Sequence, residues 1–520
     1  MGKKLKLPKL GSDNTNLYLV ASIIFFGAVL RLVSLGHSPG LYFDEVLYGL
    51  DAYSILMTGK DIYGHFMPLA FQSSGYYPPL YPYTLLPFLA IFGLSAWVVR
   101  LPAALAGIGS LVVLYFLIKE VAGKSRKILA LAATFMLAFL PWHIHLTRVS
   151  FLAIFGLAFL LSGTYFFIKG KKDNRFYILG TLLLAASTQA HYGYKLLAPV
   201  IFLELCIFEF KNFSKQKSLL LGVILIWAGA ILVSAVSYSK YNTNFRVAEL
   251  VNNNVFMVIR EYFRSFSLNF LFINGDYYRL NNPWGTGILP LVMLPYVLLG
   301  LVGFFKQNRA VKFIIGSILI FSPMPTAIAG AGQQSVRNSP MILAFIFIAA
   351  LGVELLLKIS GRKIVFRSFV LVSAIIFLIS SGNKVEYLFT KYDIEYGDLW
   401  GKNQRAAIEF ANEQKTQNIV FTDAYNVMLN YYAFDQIVSP ALLQKTTLSP
   451  TNYYGLPAKN IDNAYFLSTE QGFDRNYFKN LPAKTVIVDT FFYSDNPLFS
   501  TVKSGDKNIF QYLRVPGVFP

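Results

Sequence analysis

Residues 79–94 read PLYPYTLLPFLAIFGL, and whether this run crosses a bilayer decides the side on which everything after it lies. A membrane span needs about 20 mostly apolar residues, because a helix rises ~1.5 Å per residue and the hydrocarbon core is ~30 Å thick. Pro79, Pro82 and Pro87 interrupt the run, and only about ten residues separate Pro82 from Gly93. The run is therefore expected to be a helix lying in, or dipping into, the outer leaflet.

Eleven longer apolar runs surround it, at roughly 17–35, 96–118, 128–143, 150–168, 176–190, 193–210, 218–238, 287–305, 311–329, 338–357 and 364–381. Apolar types make up 55% of the 520 residues and charged types only 14%, against about 25% charged in a soluble domain. The expected class is thus an α-helical polytopic membrane protein. The first run is a true helix rather than a cleaved signal, because span after span follows it.

Lys and Arg in short loops set the orientation. Alternate loops hold 21 of them, in the clusters Lys3–Lys9, Lys119–Lys127, Lys169–Arg175, Lys211–Lys217, Lys306–Lys312 and Lys358–Lys363. The short opposite loops and span mouths hold six: Arg31, Lys60, Arg100, Arg148, Lys195 and Arg337. This asymmetry predicts a cytoplasmic N-terminus, an outer C-terminus and a multi-pass protein of the plasma membrane. A twelfth span at 79–94 would reverse it. The net charge of +19 is mostly this orientation signal, so no nucleic-acid partner is expected. Lone Cys206 excludes a disulfide framework, and no GxxxxGK[ST] loop is present.

From 383 onward the charge balances, with 13 Lys/Arg against 14 Asp/Glu. NIVFT at 418–422 and TVIVD at 485–489 read as strands, and helical patterns fit about 399–414 and 424–433. The expected organisation is a transmembrane domain over 1–382 and an extracytoplasmic α/β domain over 383–520. The polar segment 239–286 also lies outside.

Polar groups gather on the outer side. Asp44 and Glu45 open an amphipathic stretch in which Val46, Leu50, Tyr53 and Met57 recur at helical spacing up to Gly59; this helix is expected on the membrane surface. Arg31, Arg100, His143, His145, Arg148, His191, Tyr192, Lys195, Gln333, Gln334 and Arg337 end at the same level. An acidic pair facing several bases suits a phosphate-bearing lipid substrate. The acids serve either as a base toward an acceptor hydroxyl or as ligands of a divalent cation; no other cofactor is indicated. Against this stand plainer readings: Asp44 and Glu45 as a helix cap, Arg31, Arg100 and Lys195 as snorkelling side chains, and His191-Tyr192 as an aromatic-belt pair; Arg148 and Arg337 resist the snorkelling reading, because basic residues on short outer loops oppose the charge bias.

In order along 15–382, the motifs resemble those of the GT-C glycosyltransferases, specifically the protein O-mannosyltransferase and aminoarabinose transferase (ArnT-like) family. Arg31 lies in a first span ending Leu-Gly-His-Ser-Pro; Tyr42-Phe43-Asp44-Glu45 resembles the family's acidic motif; Tyr77-Pro78-Pro79-Leu80 resembles its [HK]-Pro-Pro-Leu motif. Phe92-Gly93 with Val99-Arg100-Leu101-Pro102-Ala103-Ala104-Leu105, then Gly275-Asp276, Asn282-Pro283 and Arg337-Asn338-Ser339-Pro340, follow in register. Two departures stand out: Arg148-Val149-Ser150 occupies the place where many relatives carry a second aspartate, and Tyr77 precedes Pro-Pro-Leu instead of Lys or His.

The resemblance implies a sugar transferase that uses a polyprenyl-phosphate-linked sugar donor, on the non-cytoplasmic face, toward a hydroxyl of a protein, lipid or glycan. It implies Asp44 as the essential acid, supported by Glu45. The donor phosphate falls to Arg100, Arg148, His191, Arg337 and Tyr77. The rival reading is a lipid-linked glycan flippase, but such transporters place polar groups near the midplane on broken helices in repeated halves, and the spans here lack central charges.

Overall fold

The computed structural model describes residues 13–73, 76–213, 216–241, 254–359, 364–413, 418–423, 426–448, 451–453, 456–468, 485–489, 499–504 and 508–514. The basic residues at 3, 4, 6, 9, 215, 362 and 363, and the part of the outer segment at 242–253, lie outside the described residues.

All eleven apolar runs contain helix. They correspond to α1 (Asp13–Leu32), α4 (Ala96–Val121), α5 (Lys127–Phe139) with α6 (Pro141–Arg148), α7 (Leu152–Lys169), α8 (Arg175–Thr188), α9 (Tyr194–Phe213), α10 (Lys217–Tyr241), α12 (Leu294–Phe304), α13 (Arg309–Phe321) with α14 (Met324–Ile328), α15 (Ser339–Ile359) and α16 (Ile364–Thr390). Two further helices, α2 (Phe43–Thr58) and α3 (Leu80–Phe92), occupy the loop after α1, and α11 (Val255–Arg264) lies between α10 and α12. Among the described residues, seven helices are long and apolar enough to cross a membrane, or eight if the bent α5–α6 pair counts as one span. Helix α3 has 13 residues, roughly 20 Å at the α-helical rise, well short of a ~30 Å core.

The contacts divide the chain into two compact units: Met1–Leu35 with Leu101–Leu388, and Gly36–Arg100 with Phe389–Pro520. The loop holding Asp44 thus shares a unit with the C-terminal residues.

In the first unit, helices approach closely through glycine. A Cβ on Gly300 of α12 would meet the Ile348 carbonyl of α15, and one on Gly352 would meet the Tyr296 carbonyl. Small residues allow such backbone contact where lipid supplies no hydrophobic drive. The α5–α6 pair bends by 58° at Pro141. Proline has no N–H to offer the carbonyl four residues earlier, which is Leu137. Arg31, fully buried on α1, fills that gap: it donates to Leu137 O at 3.2 Å, to Ala138 O at 3.1 Å and to Gly27 O at 2.7 Å. Its guanidinium also meets His143 Nδ1 at 2.7 Å. Arg31 is therefore a helix-joining group rather than an interfacial snorkel.

In the second unit, a seven-stranded sheet has the order β4-β5-β6-β3-β7-β9-β8, from β3 (Asn418–Asp423), β4 (Thr451–Tyr453), β5 (Leu456–Ile461), β6 (Ala464–Ser468), β7 (Thr485–Asp489), β8 (Phe499–Ser504) and β9 (Asn508–Arg514). Strand β3 pairs parallel with β6 and β7, and β7 with β9; the outer pairs are antiparallel. Both strands expected from sequence are in it. Helices α17 (Tyr392–Tyr396), α18 (Lys402–Glu413), α19 (Val427–Asp435) and α20 (Pro440–Leu448) accompany it.

Helix α2 differs from its expectation. Its buried set runs from Glu45 to Ala52 with Ser54 and Ile55, while Met57 is exposed. Burial extends almost all round because α3 covers one side and α19 and α20 cover another. Gln444 of α20 donates from its amide to Ser54 Oγ and Thr58 Oγ1, each at 2.9 Å. This helix is a core element of its unit, not a surface ribbon.

Candidate functional site

Helix α2 begins after an extended Tyr42. Glu45, three residues in, reaches back so that the Tyr42 N–H donates to its Oε2 at 3.3 Å, half of a capping box. Every residue just before the helix is held as well. Arg100 donates to Pro39 O at 2.7 Å and to Gly40 O. The Gly40 N–H donates to Asp393 Oδ1 at 3.1 Å, and the Tyr431 hydroxyl donates to Leu41 O at 2.9 Å. Trp400 lies edge-on to Tyr42, ring centroids 5.7 Å apart, and under the Arg100 guanidinium. Four groups remote in sequence thus fix the turn that presents Asp44.

Glu45 and Arg100 form a fully buried bidentate pair, Nε–Oε1 2.8 Å and Nη2–Oε2 2.7 Å. This corrects two sequence expectations. Arg100 is spent on Glu45 and two carbonyls, so it has no face to offer a lipid phosphate, and Glu45 is neutralised where it stands instead of supporting proton transfer. Asp44 is different. It is half-buried in the first turn, and the Ser73 hydroxyl donates to its Oδ1 at 3.1 Å. Its negative charge and that of Glu45 help burial to push the Tyr42 and Tyr48 hydroxyls well above their ordinary titration range.

Tyr77 is also corrected. Its hydroxyl donates to Asp51 Oδ2 at 2.6 Å, and its ring stacks on Phe71 at 5.4 Å. The paired strands β1 (Phe71–Gln72) and β2 (Tyr76–Tyr77) place it there, buried, with its hydroxyl committed to Asp51. Asp51 is a group the sequence reading missed. It lies two turns beyond Asp44 on α2, fully buried; burial first, and then the charge of Asp61, push its carboxyl up to about 8. The signal was present: an aspartate in a helix whose neighbours, Leu50 and Ala52, are core residues. Asp393, Trp400 and Tyr431 had no local signal, because their role appears only once the C-terminal segment meets the Pro39–Tyr42 turn.

The remaining candidates lie in the first unit. Arg148 is fully buried and donates to Leu30 O at 3.1 Å, Val33 O at 2.6 Å and Ser34 O at 3.1 Å. These are carbonyls at the C-terminal end of α1, a usual place for a cation, and the phosphate expected of Arg148 is displaced by them. His145 is likewise engaged, with Nε2 at 2.8 Å from Leu280 O. His191 and Arg337 are brought together. His191 sits in the turn between α8 and α9 and takes the Gly193 N–H on Nδ1 at 3.1 Å, which leaves the proton of the neutral ring on Nε2. Burial and then the Arg337 charge hold this imidazole down to about 3, so it stays neutral.

Arg337 belongs to a stiff segment. Asp276 Oδ2 accepts from the Ser335 N–H at 2.7 Å and its hydroxyl at 3.0 Å, and the Asn338 amide donates to Gly332 O at 2.7 Å. The Gly275-Asp276 and Asn338 motifs are therefore scaffolding for this turn. Among the described residues, no three His, Cys, Asp or Glu side chains converge as metal ligands. Glu45 is committed to Arg100, so of the acidic pair only Asp44 could serve as a ligand of a divalent cation.

Comparison with known proteins agrees with the motif reading. Residues 77–238 match the family described as dolichyl-phosphate-mannose-protein mannosyltransferase. A segment of 85 residues is 35% identical to a putative mannosyltransferase, YkcB, of Bacillus subtilis, covering 16% of this chain and 12% of that protein. In fold, the chain is similar to the Archaeoglobus fulgidus oligosaccharyltransferase tethered to an acceptor peptide, with a TM-score of 0.50 and 12% identity, over 81% of this chain and 63% of that one. ArnT from Cupriavidus metallidurans, bound to undecaprenyl phosphate, matches at a TM-score of 0.49 and 12% identity over 81% of this chain and 85% of that one. The chain thus spans less than two thirds of the oligosaccharyltransferase and a small part of the curated relative. The fold likeness is to a membrane oligosaccharyltransferase. In sequence, the segment from Tyr77 to Tyr238 is similar to the mannosyltransferase family named above.

Proposed function

We propose that the chain transfers a sugar from a polyprenyl-phosphate donor to a hydroxyl acceptor, on the outer face of the plasma membrane. The family matched by residues 77–238 carries a lipid-phosphate sugar and a protein in its description, which supports the donor class; the acceptor is a protein, lipid or cell-surface glycan. The observation that carries the reading is the division of labour in Asp44-Glu45. Glu45 takes Arg100, and Asp44 is left half-buried on a turn fixed by Arg100, Asp393 and Tyr431. A carboxylate held this way is preorganised to accept a proton.

In the reaction, the acceptor oxygen bonds to the anomeric carbon while the bond from that carbon to the phosphate oxygen breaks. The hydroxyl proton passes to Asp44 and the polyprenyl phosphate leaves as an anion. A single displacement inverts the anomeric centre. Arg337 supplies charge for the phosphate, and neutral His191 supplies an N–H from Nε2. Basic loops inside and a C-terminal domain outside complete the reading.

Turnover of a polyprenyl-phosphate sugar by the purified full chain tests it. Donor cleavage dependent on a hydroxyl acceptor is expected; a protein that binds donor but never cleaves it overturns the reading. On a Cys206→Ser background, a cysteine at Glu413 should label with an impermeant thiol reagent in intact cells, and one at Lys124 should not.

A further inference from the structure

Helix α11 (Val255–Arg264) carries an apolar face that is exposed among the described residues of its unit. Val255, Phe256, Ile259 and Phe263 are exposed, Phe256 to 84%. At about 100° per residue they fall within an arc of roughly 100°. Arg260 and Arg264, exposed by about half, continue the arc on one side. The opposite face is anchored. Glu261 is buried, pairs with both arginines at 2.9 Å and accepts the Gly332 N–H at 3.2 Å. Ser265 Oγ donates to Gly332 O at 2.6 Å.

Its place is fixed as well. The Tyr262 hydroxyl donates to Ile320 O at 3.1 Å, in the last turn of α13, so α11 lies at the level where that apolar helix ends. A helix with a strong polar–apolar division, aromatic residues on the apolar arc and arginines at its border is built for the plane between acyl chains and head groups. Border arginines match phosphate oxygens in charge and geometry.

We infer that α11 is a lipid-docking helix: Val255, Phe256, Ile259 and Phe263 enter the leaflet at the end of α13, and Arg260 and Arg264 bind the phosphates of anionic phospholipids. The turn that Glu261 and Ser265 hold at Gly332 continues to Arg337, and Arg264 also donates to Gln333 Oε1 at 3.0 Å. Lipid contact on one face of α11 is therefore tied mechanically to the segment bearing Arg337. This docking does not depend on the transfer reaction proposed above.

Nitroxide labels test it in the full chain on a Cys206→Ser background. They are placed by Phe256→Cys, Phe263→Cys and, on the packed face, Met257→Cys, with Glu413→Cys as the aqueous reference. The protein is reconstituted in phosphatidylcholine vesicles with and without phosphatidylglycerol. At 256 and 263, collisions with oxygen should exceed those with a water-soluble nickel chelate, the reverse of the ratio at 413. Phosphatidylglycerol should deepen both labels, and Arg260→Gln with Arg264→Gln should abolish that deepening while leaving the spectrum at 257 unchanged. Nickel-dominated collisions at 256 and 263 would overturn the docking. So would low collision with both reagents, which marks a protein cover, and an unchanged depth with phosphatidylglycerol would overturn the phosphate role of the arginines.

Discussion

The two units bury arginine in different ways. In the unit formed by 36–100 and 389–520, Arg100 is met by a carboxylate, Glu45, in a bidentate pair with no solvent on either side chain. In the unit formed by 1–35 and 101–388, Arg31 and Arg148 are met chiefly by backbone carbonyls left open where helices bend or stop. A broken or ending helix exposes several acceptors at once, and a guanidinium, with five donors in a plane, can take them together. One solution locks a turn through charge; the other repairs a helix backbone. The comparison teaches that a basic residue at the mouth of a span is not by that fact a phosphate ligand. Three of the basic candidates have structural employment, and of the two acids Glu45 shares it, while Asp44 accepts the Ser73 hydroxyl from a half-buried position.

The strongest way to break the comparison is Asp44→Asn. If Asp44 is the reacting carboxylate, sugar transfer should fall by roughly 10²–10⁴-fold, the usual cost of losing a general base. Stability should fall by no more than about 1 kcal/mol, the usual worth of an acidic residue in the first turn of a helix. Turnover within a few-fold of wild type at saturating donor would leave Asp44 as a first-turn acid that complements the helix dipole. Full activity here, combined with a folded but inactive Glu45→Gln, would move the role to Glu45.

Next in size is the buried pair. Arg100→Met strands the buried Glu45 charge without its counter-charge, which should cost about 3–5 kcal/mol of stability. Adding Glu45→Met removes the stranded charge and should recover much of that loss, although Pro39 O and Gly40 O stay without their donor. Unfolding midpoints of the single and double variants in detergent check this. A double variant no better than Arg100→Met would show that the carbonyl bonds, not the charge pair, hold the turn.

The carbonyl-capping arginines should cost less. Arg148→Met leaves three carbonyls at and just beyond the end of α1 open, and Arg31→Met leaves those at the α5–α6 bend; an unsatisfied buried group costs about 1–3 kcal/mol. Neither change creates an unpaired charge, so the loss per variant should stay below that of Arg100→Met. If Arg148→Met instead left stability intact and weakened donor binding alone, Arg148 would regain the phosphate role.

How much of this was legible in sequence follows from the range of each interaction. Helix positions were legible because apolar runs and proline breaks are local, and so were the strands at 418–422 and 485–489. The short α3 was legible from Pro82 and Gly93. The surroundings of α2 were not: its periodicity through Val46, Leu50 and Tyr53 marks one face, and nothing local announces that Phe434 and Gln444 will press on others. The Glu45–Arg100 pair joins residues 55 apart, and the Gly40–Asp393 bond joins residues 353 apart. Asp44 and Glu45 look equivalent in sequence, and only such long-range partners separate their roles.

The smallest expected effect concerns Asp51 and Tyr77, and it sharpens the comparison by asking how a buried carboxyl behaves without an arginine. Burial raises the Asp51 carboxyl from its ordinary 3.8 to about 8, so the folded protein holds a proton that the unfolded chain releases. The sign follows from linkage: stability falls as pH rises wherever the native state binds more protons. The Asp51 contribution should be favourable below about pH 4, decline between about pH 4 and 8 and then level off. Asp51→Asn should flatten that decline, so the variant loses less stability than wild type between pH 5 and pH 8. Tyr77→Phe removes a donor to the carboxylate and should cost about 1 kcal/mol. Because that donor favours the charged form, its loss should push the Asp51 transition still higher in pH. Unfolding midpoints across this range for wild type, Asp51→Asn and Tyr77→Phe measure all three slopes. A wild-type slope identical to that of Asp51→Asn would mean that Asp51 is ionised in the folded protein and that the Tyr77 hydroxyl, the Ile62 N–H and water pay its burial in place of a counter-charge.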